Sequence, residues 1–152
     1  MSDLDERLRR LAQKGILRPE LRVGVVSFVK SYVAHINLRD AGNPSGTHFE
    51  GGRYGKGEVG EFILVEGQRS ILLGRIMEVR LPDGERQIIG QDYAGSNELD
   101  AIGHIQLLGS ISMVDFHFTA GVDTYPRLGD RVYAAPHQLI ALIPYLMIRT
   151  GD

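Results

Sequence analysis

The sequence predicts a mainly β fold: a small closed or partly open antiparallel β-barrel with an N-terminal helix and a short C-terminal helical segment. Three observations carry that expectation. Glycine supplies 19 of 152 residues, well above the usual share of about 7%, and such a density suits a β-protein rich in turns and bulges. Apolar, β-branched runs recur along the chain between glycine, proline and polar punctuation. Residues 120–136, AGVDTYPRLGDRVYAAP, then read as a return strand that closes the barrel. Tyr125-Pro126 stops what precedes it, because proline fixes φ and donates no N–H. Gly129-Asp130 makes a tight turn, around which Leu128, Val132 and Ala134 alternate with Arg131 and Tyr133.

The first element is a helix. Ser2 is an N-cap, Asp3, Asp5 and Glu6 fill the first turn, Lys14 closes the last, and Gly15 ends it. Leu4, Leu8 and Leu11 form one narrow apolar stripe. The stripe predicts a helix plugging one end of the barrel; the alternative is an arm docked on a partner or neighbouring subunit. Residues 22–29 and 32–38 are strands joined by a short link, with Val23, Val25, Ser27 and Val29 expected on one face of the first. In the second, Ala34, Ile36 and Leu38 oppose Val33, His35 and Asn37, and His35 is expected in solvent or bonded within the sheet.

Residues 40–60 form a long loop with seven glycines and one proline, a length that in a compact domain marks mobility or function. Phe49 and Tyr54 are its large apolar groups and either anchor it or touch a partner. Strands follow at 61–66 and 70–81 around a Gly67-Gln68-Arg69 turn, and Gly74 in mid-strand predicts a bulge or barrel corner. Pro82-Asp83-Gly84 turns into a weaker strand over 86–90, and 92–100 reads as loop or as a short helical turn capped by Ser96 or Asn97. Residues 99–114 read as one long strand with both faces partly apolar. Residues 137–148 are helix-like until Pro144, and their apolar surface predicts a connector towards a domain beyond Asp152. The division expected is a helical arm at 1–20, a barrel at 21–136 and a connector at 137–152.

Chemistry is legible mostly by what the residues do not assemble. The net charge is −2, which argues against a stand-alone nucleic-acid binder. Cysteine is absent, which fits a reducing cytoplasm and equally a cysteine-free secreted chain. The opening MSDLDERLRR has no apolar signal core, and the longest apolar run is too short to span a bilayer; the cytoplasm is the expected compartment and no membrane contact is expected. Gly51, Gly52, Gly55, Lys56 and Gly57 look like a P-loop, but Glu50 stands in place of the first glycine, Gly57 in place of the magnesium-binding hydroxyl, and a strand follows where a helix is needed. The five histidines lack helical i, i+4 spacing, and Asp115 with His117 makes only two ligands of a metal site. No serine sits in a nucleophile elbow. Arg69, Arg75, Arg80, Arg86, Arg127 and Arg131 offer bidentate donors, read first as ion pairs between subunits and second as contacts to DNA.

Four blocks carry a resemblance. VGVVSFVKSYVAHINL at 23–38, GEFILVEGQRSILLGRIMEVRL at 60–81, GHIQLLGSI at 103–111 and AGVDTYPRLGDRVYAAP at 120–136 are similar, in that order, to the N-terminal β-barrel of HerA-type ATPases, the HAS barrel that ATP synthase subunits share. The similarity spans about residues 21–140, and Tyr-Pro-x-Leu-Gly-Asp-x-Val-Tyr at 125–133 is its most specific part. It implies a parent that is a hexameric DNA translocase, a barrel that packs in a ring, and a face on which a nuclease or sirtuin-like effector docks in end resection or antiphage defence. DNA would be met only through the parent motor. Residues 1–152 hold no Walker A or Walker B segment, so no catalysis is assigned to them. The expected protein-interface residues are Phe49, Tyr54, Arg75, Tyr125, Arg127, Arg131 and Tyr133; no catalytic, cofactor-binding or metal-binding residue is expected, and no cofactor. Two other classes remain open on the residues alone: a small-barrel enzyme or ligand binder with a flavin or nucleotide pocket, and a single-strand binder using aromatics flanked by bases.

Overall fold

A computed structural model describes residues 3–31, 33–41, 48–49, 52–53, 57–81 and 101–150. Helix α1 (Asp3–Lys14) and a 3-10 turn (Pro19–Leu21) lead into strands β1 (Arg22–Lys30) and β2 (Val33–Asn37). A two-stranded hairpin, β3 (His48–Phe49) with β4 (Gly52–Arg53), stands apart from the main sheet. Strands β5 (Phe62–Glu66), β6 (Ser70–Arg80), β7 (Ile102–Ser112), β8 (Phe118–Ala120) and β9 (Arg131–Ala134) follow, then helices α2 (His137–Ile140) and α3 (Ile143–Thr150). The segments 82–90 and 92–100 fall outside the described residues. Among the described residues no helix is long and apolar enough to cross a membrane.

The main sheet runs β2-β1-β9-β5-β6-β7, and β2 pairs back onto β7, so six strands close into a barrel. Every neighbouring pair is antiparallel, which a closed ring allows only with an even number of strands. The seventh strand, β8, adds to the free half of β7. β9 is the piece that joins the β1–β2 hairpin to the β5–β6–β7 meander: Val132 lies opposite both Gly24 and Val65. The return strand read from residues 120–136 therefore does close the barrel.

Bulges set which residues enter the core. β1 carries one extra residue against β9 between Arg22 and Gly24, and another against β2 between Val26 and Phe28. Val23 and Val26 consequently both point inside, and the expected Val23-Val25-Ser27-Val29 face is broken, since an extra residue reverses the alternation that follows it. Gly74 does mark a bulge, with Leu108 of β7 left over opposite the Leu73–Gly74 step. The β2 alternation holds: Ala34, Ile36 and Leu38 are buried in the interior with Ile63, Val65, Leu72, Ile76, Ile105, Leu107, Val132 and Ala134.

A second core covers the outside of the wall. Leu64, Ile71, Leu73 and Ile111 face outward from β5, β6 and β7 and are buried under Leu8 and Leu11 of α1, Phe118 of β8, Leu139 of α2, and Ile143 and Leu146 of α3. β5 and the first part of β6, through Leu73, are thus packed on both faces, which is why they read as continuous apolar runs instead of alternating ones. Helix α1 lies on this outer wall and does not plug a barrel end. The apolar segment 137–148 is covered by its own chain at Leu139, Leu142, Ile143 and Leu146, while Tyr145 and Ile148 are exposed. Pro144 does not stop it: the break falls at Ala141-Leu142, and Pro144 sits in the first turn of α3, where its missing N–H costs no helical bond.

Candidate docking face at one end of the barrel

The β5–β6 turn and the loop entering β9 meet at one end of the barrel. Gly67, Arg69 and Ser70 come from the first, Thr124, Tyr125, Arg127 and Asp130 from the second, and together they line a cleft of about 190 Å³ with Leu72 among its walls. Both backbones are held. The turn is closed by the Gly67 N–H donating to the Ser70 carbonyl at 3.1 Å, and the Met113 N–H donates to the Arg69 carbonyl at 2.9 Å. In the loop, the Arg127 N–H donates to the Asp130 carboxylate at 2.8 Å while the Asp130 N–H returns to the Arg127 carbonyl at 3.1 Å. This side-chain-closed turn suits the Gly-Asp pair, because Gly129 takes φ +89°. The turn is stitched to β1 by Gly129 N–H to the Val26 carbonyl at 2.8 Å and Val26 N–H to the Asp130 carbonyl at 2.9 Å. Further back, Ser110 Oγ and Asp123 Oδ1 lie 3.3 Å apart and tie the loop to β7.

Around the cleft the surface is apolar as well as basic. Tyr125 is 54% exposed, Leu128 70% and Val114 86%. Arg69 and Arg127 are exposed, and among the described residues neither guanidinium is ion-paired. Arg75 belongs elsewhere: it lies on the outer wall with its guanidinium 5.5 Å from the Phe62 ring centre and its Nε donating to the Gly60 carbonyl at 3.3 Å. Arg131 opens β9 and is exposed, opposite Val25. Tyr133 is only 6% exposed, so it packs within this chain and offers little surface to another. The Phe49 side chain, Tyr54, Arg86 and, of the P-loop-like stretch, Gly51, Gly55 and Lys56 lie outside the described residues. Of the seven expected interface residues, Tyr125 and Arg127 come together in one cleft. Arg69, Ser70 and Thr124 join them there. No sequence spacing foretold that meeting, because the two loops are distant along the chain and the β9 register brings them close.

A second group went unread. Phe28, His35 and His104 stack across β1, β2 and β7, with ring centres 4.4 Å and 3.7 Å apart. They stand on the outer wall at the seam that closes the barrel, beside Glu78 and Arg80, themselves 3.9 Å apart. The His35 ring is thus held against the sheet by stacking between Phe28 and His104. Burial, then the neighbouring His104 and Arg80, lower its pKa below the usual histidine value, with Glu78 opposing.

Asp115 and His117 occupy a separate cleft of about 180 Å³ with Asp5, Arg9 and Phe116. The His117 backbone N–H donates to Asp115 Oδ1 at 3.1 Å and holds that carboxyl below its usual pKa. His117 Nδ1 is 3.9 Å from Asp5 Oδ1. Among the described residues no three histidine or acidic side chains are grouped so as to hold a metal ion. No protein-family model matches the chain, and no curated protein matches it.

Proposed function

We propose that these residues are the assembly and docking barrel of a HerA-type ring translocase, a part that holds subunits and an effector in register and makes no bonds itself. One observation supports this above the others. The stretch that carries the most specific resemblance, residues 125–133, forms both the strand that joins the two halves of the barrel and the loop that presents Tyr125 and Arg127 on an exposed, apolar and basic rim. Mixed aromatic and arginine surfaces are the composition that protein interfaces favour. The parent motor supplies the ATP chemistry and the grip on DNA, in the cytoplasm, and the partner at the rim is a nuclease or a sirtuin-like effector.

The test is the product of the whole reading frame. A Walker A segment encoded beyond Asp152 is expected, together with a hexamer by light scattering and capture of a nuclease or sirtuin-like protein encoded beside it. Arg127→Glu is expected to weaken that capture about tenfold or more, as loss of a central interface arginine does. A parent that is monomeric at all concentrations and captures no such protein overturns the proposal.

A further inference from the structure

The cleft between the β5–β6 turn and the β9 loop has a chemistry of its own, independent of any ring. Arg69 and Arg127 reach it from different loops, and each can fork two N–H donors onto a pair of oxygens. Ser70, Thr124 and Tyr125, each carrying a hydroxyl, line the same walls. Asp130 is the one acid among them, and its carboxylate already accepts the Arg127 backbone N–H at 2.8 Å. Two cations and one engaged anion leave the cleft with one positive charge unmatched. The Leu72 wall and the half-exposed Tyr125 ring give it an apolar side.

We propose that this cleft binds a small oxyanion, a carboxylate or a phosphate monoester, attached to an apolar or aromatic body that lies against Tyr125. The two guanidinium groups would share the anionic head, and the hydroxyls would take its remaining lone pairs. The site is built before the ligand arrives. The reciprocal Arg127–Asp130 bonds, the Gly129–Val26 stitch and the Met113–Arg69 bond fix both arginine backbones, so binding orders two side chains and no loop. The head alone is expected to bind weakly, because the cleft is open and salt screens exposed charges.

The experiment is an NMR titration of the ¹⁵N-labelled chain with three probes: sodium phosphate, phenyl phosphate and phenylpropionate. Shifts are expected at the amides of Arg69, Ser70, Tyr125 and Arg127, with a dissociation constant of about 1 mM for the better aromatic probe. Phenyl phosphate is expected to bind more tightly than inorganic phosphate, because the ring adds burial against Tyr125. The arm that binds better, phosphate or carboxylate, identifies the head group. Arg69→Gln and Arg127→Gln are exposed changes that leave the fold intact, and each is expected to weaken binding about tenfold, with Arg75→Gln unchanged. No shift with any probe overturns the proposal. So does equal binding by the Arg69→Gln/Arg127→Gln double variant, which would mark an adventitious ion only.

Discussion

His35 shows how one side chain ties a local contact to the pH response of the protein. It stacks between Phe28 and His104, and burial is the first cause of its lowered pKa. The unfolded chain therefore takes up the proton at a higher pH than the folded one does. Above the unfolded pKa of about 6.5 the neutral ring costs nothing. As pH falls through that value, the unfolded state gains protons that the folded state refuses, and stability declines until the folded pKa is passed. Urea midpoints are expected to fall between about pH 7 and pH 5, and His35→Phe is expected to flatten that fall. An unchanged slope in the variant would remove His35 from the account. Gly24 is a second residue with a sharp consequence. A Cβ there would stand 1.7 Å from the Asn37 carbonyl oxygen, across the β1–β2 pair. That atom is backbone and cannot swing aside, so Gly24→Ala is expected to cost about 3 kcal/mol or more in urea unfolding, at the top of the range for overpacking.

At the scale of elements, the helices show where the residues were legible and where they were not. The C-terminal end of helix α1 was legible to the residue, because Lys14 and Gly15 act within one turn of the chain, while the expected Ser2 cap lies outside the described residues. Gly15 indeed closes it, with φ +91°. The position of α1 was not legible: Leu8 and Leu11 show that a stripe is buried, and nothing local says against what. The same limit applies to Ile143 and Leu146, which pack with β8 and the outer wall of the barrel. It applies again to Val23 and Val26, since bulges arise from the pairing of strands and leave no mark in a single run. The cleft at Arg69 and Arg127 depends on two such pairings, so only its members, and never their meeting, were readable. The packing of α3 gives a direct prediction. Leu146 is fully buried and Ile148 is 69% exposed. Leu146→Ala is expected to cost about 2–5 kcal/mol by urea unfolding, and Ile148→Ala less than about 0.5 kcal/mol. Equal effects would mean that α3 does not pack on this chain.

For the whole molecule, closure distributes stability unevenly around the barrel. β6 and β7 pair at ten positions, and β5 and β6 are sealed inside by one core and outside by the other. β2 meets β7 at five positions, as many as join β5 to β6, but among the described residues no helix lies over its outer face of Val33, His35 and Asn37. Opening the β2–β7 seam therefore uncovers Ala34 and Ile36, whereas opening β5–β6 breaks both cores at once. Local unfolding follows the least-buried boundary, so the amides of Ala34 and Ile36 are expected to exchange faster than those of Leu64, Leu72 and Leu73. The stacked rings of His35 and His104 straddle this same seam, and a proton on His35, which burial disfavours, is better solvated once the strands part. Seam exchange is therefore expected to accelerate from about pH 7 to pH 5 after correction for intrinsic rates, with the β5–β6 amides lagging behind. Uniform exchange around all six strands at both pH values would show that the barrel opens only as a whole and that the seam has no separate weakness.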